Sequence, residues 1–219
     1  MTRTAQFDRK TAETEIHVSL GLDGDGAGER DTGVGFFDHM LDLLARHSHI
    51  DLDVRARGDL HTGAHHTVED VGICIGQALD EALGDRAGIG RFGQATVPMD
   101  EARVACAIDV SGRGLCAFEA NGSLPPGATG TFDHELVEEF CRALAMNAKL
   151  TLHVTVERGT NAHHVIEAAF KSLARALRAA VALGGVQRDR RAERARQRLE
   201  HGLDHVMGVG AALDGHVQG

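Results

Sequence analysis

The stretch GAHHTVEDVGICIGQAL, residues 63–79, has a near-counterpart in NAHHVIEAAFKSLARAL, residues 161–177. Each places two adjacent histidines and a glutamate, His-His-x-x-Glu, at the head of an apolar run with helical spacing. In the first copy Val68, Val71, Ile75, Leu79 and Ala82 predict a helix over about Thr67–Leu83 that buries one face. The likeness extends upstream. FFDHMLDLLARHSHIDLDV (36–54) lies over LVEEFCRALAMNAKLTLHV (136–154) at a shift of 100 positions, with identities at Leu44/Leu144, Ala45/Ala145, Leu52/Leu152 and Val54/Val154. A shared apolar pattern that ends in a shared, uncommon motif predicts an internal duplication.

The repeated unit reads as helix, strand, helix. Phe36, Phe37, Met40, Leu41 and Leu44 keep the rhythm of a helix, and IDLDVRARG alternates as a strand. EIHVSL, between Glu15 and Leu22, alternates likewise, and RFGQATVPMDEARVACAIDVSGRGLCAFEA (91–120) reads as strands joined by glycine turns. NGSLPPGATG (121–130) reads as a surface loop. The charge-dense QRDRRAERARQRLEHGLDH (187–205) suits a solvated helix or disorder. The expected organisation is a first half over 1–94, a second over 95–183 and a charged tail over 184–219.

Composition narrows the function. A chain of 219 residues can bury a proper core, and its net charge of −9, with both signs interspersed, predicts neither nucleic acid nor membrane as partner. The N-terminus carries no apolar export signal, and no stretch has the length and apolarity of a span. Cys74, Cys106, Cys116 and Cys141 form no C-x-x-C pair, as expected of free thiols in a cytoplasmic protein. Fourteen histidines in a chain without Trp or Tyr direct attention to histidine chemistry.

On a helix, residues four apart share a face, whereas adjacent residues point about 100° apart. His65 and Glu69 can therefore clasp one ion while His66 is turned towards another, and His163, Glu167 and His164 repeat that arrangement. His39 and its counterpart Glu139, on the preceding helices, supply one more donor per half. The eight side chains suit Mn, Fe, Zn, Co or Ni. The expected division is His65, Glu69, Glu139 and His164 at one site, with His39, His66, His163 and Glu167 at the other. Apart from His47, the remaining histidines, His134 among them, are assigned to surface or core.

TGVGFFDHMLDLLARH, HHTVEDVGICIGQAL, RFGQATVPMDEA, DVSGRG and NAHHVIEAAFKSLARAL together resemble the imidazoleglycerol-phosphate dehydratases of histidine biosynthesis, over about Phe7 to Leu183. The resemblance implies an α/β fold of two halves of ribosomal-protein-S5-domain-2 type, with helices packed between two sheets. It also implies two Mn2+ per subunit and a homo-oligomer of 24 subunits with metals at subunit contacts. By the same resemblance, all eight donors are metal ligands. Glu13 and Asp100 become catalytic acids or bases, and His47, Arg91, Arg113 and Lys171 bind the phosphorylated imidazole substrate, the two arginines at its phosphate.

The implied reaction is the dehydration of D-erythro-imidazoleglycerol phosphate to imidazole-acetol phosphate, the sixth step of histidine biosynthesis. No carbonyl acidifies the C–H bond that must break. Divalent ions at the ring nitrogens, as the resemblance implies, would favour loss of the ring N–H near neutral pH and so let the electron-rich ring expel the adjacent hydroxyl. Glu13 is the leading proton-transfer group, with Asp100 as an alternate or positioning acid. The sequence departs from the family at Leu43, where glutamine is common, at the residues just before His65, and after Leu183, where a PSTKG ending is expected. A second reading rests on those departures: a metal-binding, shell-forming relative with impaired catalysis.

Overall fold

The computed structural model describes residues 3–184. The first half begins with the antiparallel pair β1 (Thr4–Lys10) and β2 (Thr14–Gly21), followed by the short β3 (Arg30–Asp31), helix α1 (Gly35–Ser48), β4 (Asp51–Gly58) and helix α2 (His65–Leu83). The second runs through β5 (Phe92–Met99), β6 (Ala102–Asp109) and β7 (Leu115–Glu119). A two-strand hairpin follows, β8 (Ala128–Thr129) with β9 (Phe132–Asp133), and then α3 (Leu136–Asn147), β10 (Thr151–Arg158) and α4 (Ala162–Val181). Among the described residues four helices and two four-stranded sheets result, the mixed α/β fold expected.

The sheets repeat one topology. Their orders are β1-β2-β4-β3 and β5-β6-β10-β7, and the last strand of each runs parallel to its neighbour while the others are antiparallel. Period-two alternation explains the burial: Ile16, Val18 and Leu20 of β2, and Leu152, Val154 and Val156 of β10, face inward and are buried. His49 and Lys149, at corresponding places after α1 and α3, adopt left-handed φ of 59° and 52°, so each repeat leaves its helix through the same turn.

Helices pack across the halves. α2 lies on β1 and β2 but packs sideways against α3; α4 lies on β5 and β6 but packs against α1. A Cβ on Gly76 would stand 2.7 Å from Asn147 Cβ and 2.8 Å from the Leu144 carbonyl oxygen, and one on Gly72 2.9 Å from Ala143 Cβ. Two glycines one turn apart therefore set the close approach of α2 to α3. Leu44, Leu79, Leu144 and Leu177, from the C-terminal parts of the four helices, line one small apolar void. All four helices thus point the same way, and their first turns lie at the opposite end.

Three details differ from the sequence reading. α2 begins at His65, which puts both histidines inside its first turn. β1 is a full strand although only Ala5 and Phe7 mark its inner face. The half-boundary expected between 94 and 95 falls within β5. The charged tail lies, from residue 185 on, outside the described residues.

Candidate metal and substrate site

α1 and α4 run side by side, and their first turns bring three expected ligands together. His39 Nε2 and His163 Nε2 stand 3.2 and 3.0 Å from the same oxygen of Glu167, whose other oxygen accepts from Lys171 Nζ at 2.5 Å. Glu167 is buried, with 7% of its surface exposed. Burial alone would raise its carboxyl, but Lys171, His39 and His163 outweigh it and hold the pKa at about 2. Phe36 packs beside the His163 ring at 5.1 Å and walls the cluster from one side. Asn161 caps α4 by accepting from the His163 backbone N–H at 3.0 Å, which fixes the turn that aims the histidine pair.

The second seam, between α2 and α3, is looser. His65 Nε2 lies 3.7 Å from Glu69, and both side chains are about half exposed. Glu139, the counterpart of His39, accepts from Arg142 at 2.8 Å instead of meeting Glu69 or His65. Adjacent histidines diverge as the helix geometry requires, with rings 84° and 88° apart in the two copies. His66 and His164 are accordingly turned away from the carboxylates of their own helices. Among the described residues, no group of three or more side chains closes around an ion within one chain.

Both outward histidines are tethered through Nδ1 to carboxylates that sequence reasoning had not singled out. His66 Nδ1 lies 3.1 Å from Asp59, in the loop after β4, and His164 Nδ1 lies 2.7 Å from Glu101, in the β5–β6 turn. Glu101 also accepts from the backbone N–H of Thr160 and Asn161 at 3.2 and 2.8 Å. These contacts, led by His164, bring its carboxyl down to about 2 and raise the His164 imidazole above its ordinary value. Asp100 stands on the other side of the same ring, 3.5 Å from Nε2.

This pair makes a signed prediction for the metal-free protein. A lowered Glu101 contributes stability above its unfolded pKa and loses it as pH falls towards 2; a raised His164 contributes below its unfolded pKa and loses it as pH rises through the folded value. The difference in melting temperature between wild type and Glu101→Gln is therefore expected to be largest between pH 4.5 and 6.5, the two reference values, and to shrink on either side. A difference independent of pH contradicts the ion pair.

The substrate-side residues divide. His47, near the end of α1, faces Lys171 and Arg175 of α4; burial first, and then these cations with Arg46, push its pKa down, so it is neutral near pH 7. Glu13 sits exposed in the β1–β2 turn beside Asp59, whose backbone N–H donates to the Glu13 carbonyl at 3.1 Å. Arg91 and Arg113 lie at the other end of the second sheet. Arg91 precedes β5, donates to Asp109 at 2.8 Å and stacks its guanidinium 4.9 Å from the Phe92 ring centroid. Arg113 is in the neighbouring β6–β7 turn. Asp100 follows the far end of β5, eight residues of strand or about 26 Å away. One chain thus keeps its expected phosphate ligands far from its own metal donors.

Comparison with known proteins identifies the family. The family model described as imidazoleglycerol-phosphate dehydratase matches residues 32–177. The imidazoleglycerol-phosphate dehydratases of Rhodopirellula baltica and Dinoroseobacter shibae are 55% and 58% identical over 179 residues, 82% of this chain and 88% and 91% of theirs. The crystal structure of the Staphylococcus aureus enzyme superposes with a TM-score of 0.74 at 42% identity, covering 82% of this chain and 99% of that one. The Pyrococcus furiosus enzyme, in complex with (S)-C348, gives 0.70 at 38% identity, covering 80% and 93%. The chain belongs to the imidazoleglycerol-phosphate dehydratase family.

Proposed function

We propose that this chain dehydrates D-erythro-imidazoleglycerol phosphate to imidazole-acetol phosphate, the sixth step of histidine biosynthesis, in the cytoplasm, with two Mn2+ per chain in an assembly of 24 subunits. The observation that carries the reading is the convergence of two imidazole Nε2 atoms on one buried carboxylate oxygen, at the head of a helix duplicated elsewhere in the chain. Imidazole with carboxylate is a donor set that fits Mn2+. His39, His163 and Glu167 would hold one ion and His65 and Glu69 another. His66 and His164, turned outward, would complete the coordination across a contact between chains, with Glu139 as a further donor.

Ions held by these residues would supply the positive charge that acidifies the N–H of the substrate ring. The chain's own residues do the rest. Glu13, exposed and without a side-chain partner among the described residues, moves the proton at the carbon next to the departing hydroxyl, and Asp100 positions or assists. His47 and Lys171 orient the glycerol chain. Arg91 and Arg113 of a neighbouring subunit hold the phosphate by charge-assisted bonds, since those of the same chain are too distant.

The test is direct: Mn2+-loaded protein with imidazoleglycerol phosphate, the ketone product detected, and metal content and particle mass measured together. Product, two ions per chain and a large particle that falls apart on chelation are the expected results. One ion per chain in a small particle indifferent to chelator, or no ketone, overturns the reading.

A further inference from the structure

The two outward histidines are held by carboxylates that do not correspond to one another in the repeat. In the second half the carboxylate comes from the β5–β6 turn, where Glu101 reaches His164. In the first half it comes from the loop between β4 and α2, where Asp59 reaches His66 with both oxygens, at 3.2 and 3.1 Å, while also accepting from Thr62. The first-half turn that corresponds to β5–β6 is β1–β2, and the carboxylate it carries is Glu13. Glu13 makes no side-chain hydrogen bond among the described residues, whereas Glu101 is engaged on both oxygens.

We propose that Asp59 and Glu101 are positioning residues, each accepting the Nδ1 proton of its histidine so that Nε2 is presented as the donor, and that Asp59 thereby releases Glu13 for proton transfer. Which imidazole nitrogen can bind an ion is decided by the hydrogen bond at the other nitrogen, and a carboxylate there both locks the tautomer and makes the ring more basic. Two halves built on one plan each need this lock once. The second half places it in its first turn, and that acid is then occupied on both oxygens, by His164 on one and by Thr160 and Asn161 on the other. The first half places the lock one loop later. Its first-turn acid stays exposed and, among the described residues, without a side-chain partner, on the same side as the histidine pair, where a substrate ring on an ion held by His66 would meet it.

The inference rests on the dehydratase reading, and the test separates the two. Mn2+ affinity is measured on the metal-stripped full chain, by the spin-resonance signal of free Mn2+, for wild type, Asp59→Ala, Asp59→Asn, Glu101→Gln and Glu13→Gln; circular dichroism confirms that each is folded. Asp59→Ala is expected to weaken Mn2+ about 10- to 100-fold, with part of the loss recovered in Asp59→Asn, which keeps an acceptor. Glu101→Gln is expected to weaken it by a similar factor, because the amide oxygen stays with the Thr160 and Asn161 N–H groups, and the amide N–H then facing Nδ1 drives the proton onto Nε2. In both, activity returns towards wild type at saturating Mn2+. Glu13→Gln is expected to keep wild-type Mn2+ affinity and lose about 10²- to 10⁴-fold in kcat. Unchanged affinity in both Asp59→Ala and Glu101→Gln overturns the inference, and so does a Glu13→Gln variant that loses Mn2+ as Glu101→Gln does. A wild-type chain that takes up no Mn2+ overturns the metal reading and this inference with it.

Discussion

Glu167→Gln is expected to lower kcat/KM by about 10³-fold and to reduce the metal content from two ions per chain towards one. The substitution keeps the shape of the side chain and removes its charge. Glu167 is the one carboxylate on which His39 and His163 converge, and it is buried, so no water-exposed acid can take its place. Under the proposed two-ion reading, losing one ion would forfeit about 4 kcal/mol of charge stabilisation, which is about 10³ in rate. Lys171 loses its counter-ion at the same time and is only 18% exposed, so a modest fall in thermal stability accompanies the loss of activity. Activity assays with metal analysis decide the matter. Retention of a tenth of the activity with both ions present contradicts the assignment.

Gly76→Val is expected to destabilise the fold by about 3 kcal/mol, a fall in melting temperature of about 6–12 °C for a domain of this size. Even a first carbon at this position stands under 3 Å from Asn147 Cβ and the Leu144 carbonyl oxygen. The obstruction is largely backbone, so no rotamer relieves it and α2 must move away from α3. That shift moves Glu69 further from Glu139, so under the proposed metal reading Mn2+ uptake at this seam is expected to weaken as well. Gly35→Ala, where a Cβ meets nothing within 4 Å, provides the contrast and is expected to change stability by less than about 1 kcal/mol. Thermal melts of the two variants check this; equal melting temperatures contradict the close-packed crossing.

The duplication and the helices were legible because their signals are periodic. The shift of 100 residues that aligns Leu44 with Leu144 also aligns β4 with β10, and the apolar rhythm of Val68, Val71, Ile75 and Leu79 names the buried face of α2. Strand β1 was less visible, because TAQFDRK has few apolar residues to alternate. Asp59 and Glu101 were not legible at all: Glu101 and His164 are brought together by the antiparallel turn and the helix start, and no spacing in the sequence encodes that meeting. His134, one of the unassigned histidines, is a loop anchor, with Nδ1 3.0 Å from the Pro125 carbonyl oxygen and Nε2 3.2 Å from Thr129. The distance between Asp100 and Arg91 was hidden for a different reason. Motifs give order along the chain, and only the extended path of β5 turns order into separation.

The seams α1/α4 and α2/α3 each join one half to the other, so each helix packs against a helix of the opposite half. Two separate copies of a half-length ancestor would form such a pair only as a twofold dimer, whose seams would have to be identical. Fusion into one polypeptide removes that constraint. Gly72 and Gly76 draw α2 close to α3, while Phe170 and Ala174 occupy the matching places on α4, where Phe170 stacks on Phe140 at 5.1 Å. Broken symmetry of this kind lets a change be selected in one seam without being imposed on its twin, and the unequal pairs His39/Glu139 and Glu13/Glu101 are where that liberty has been used.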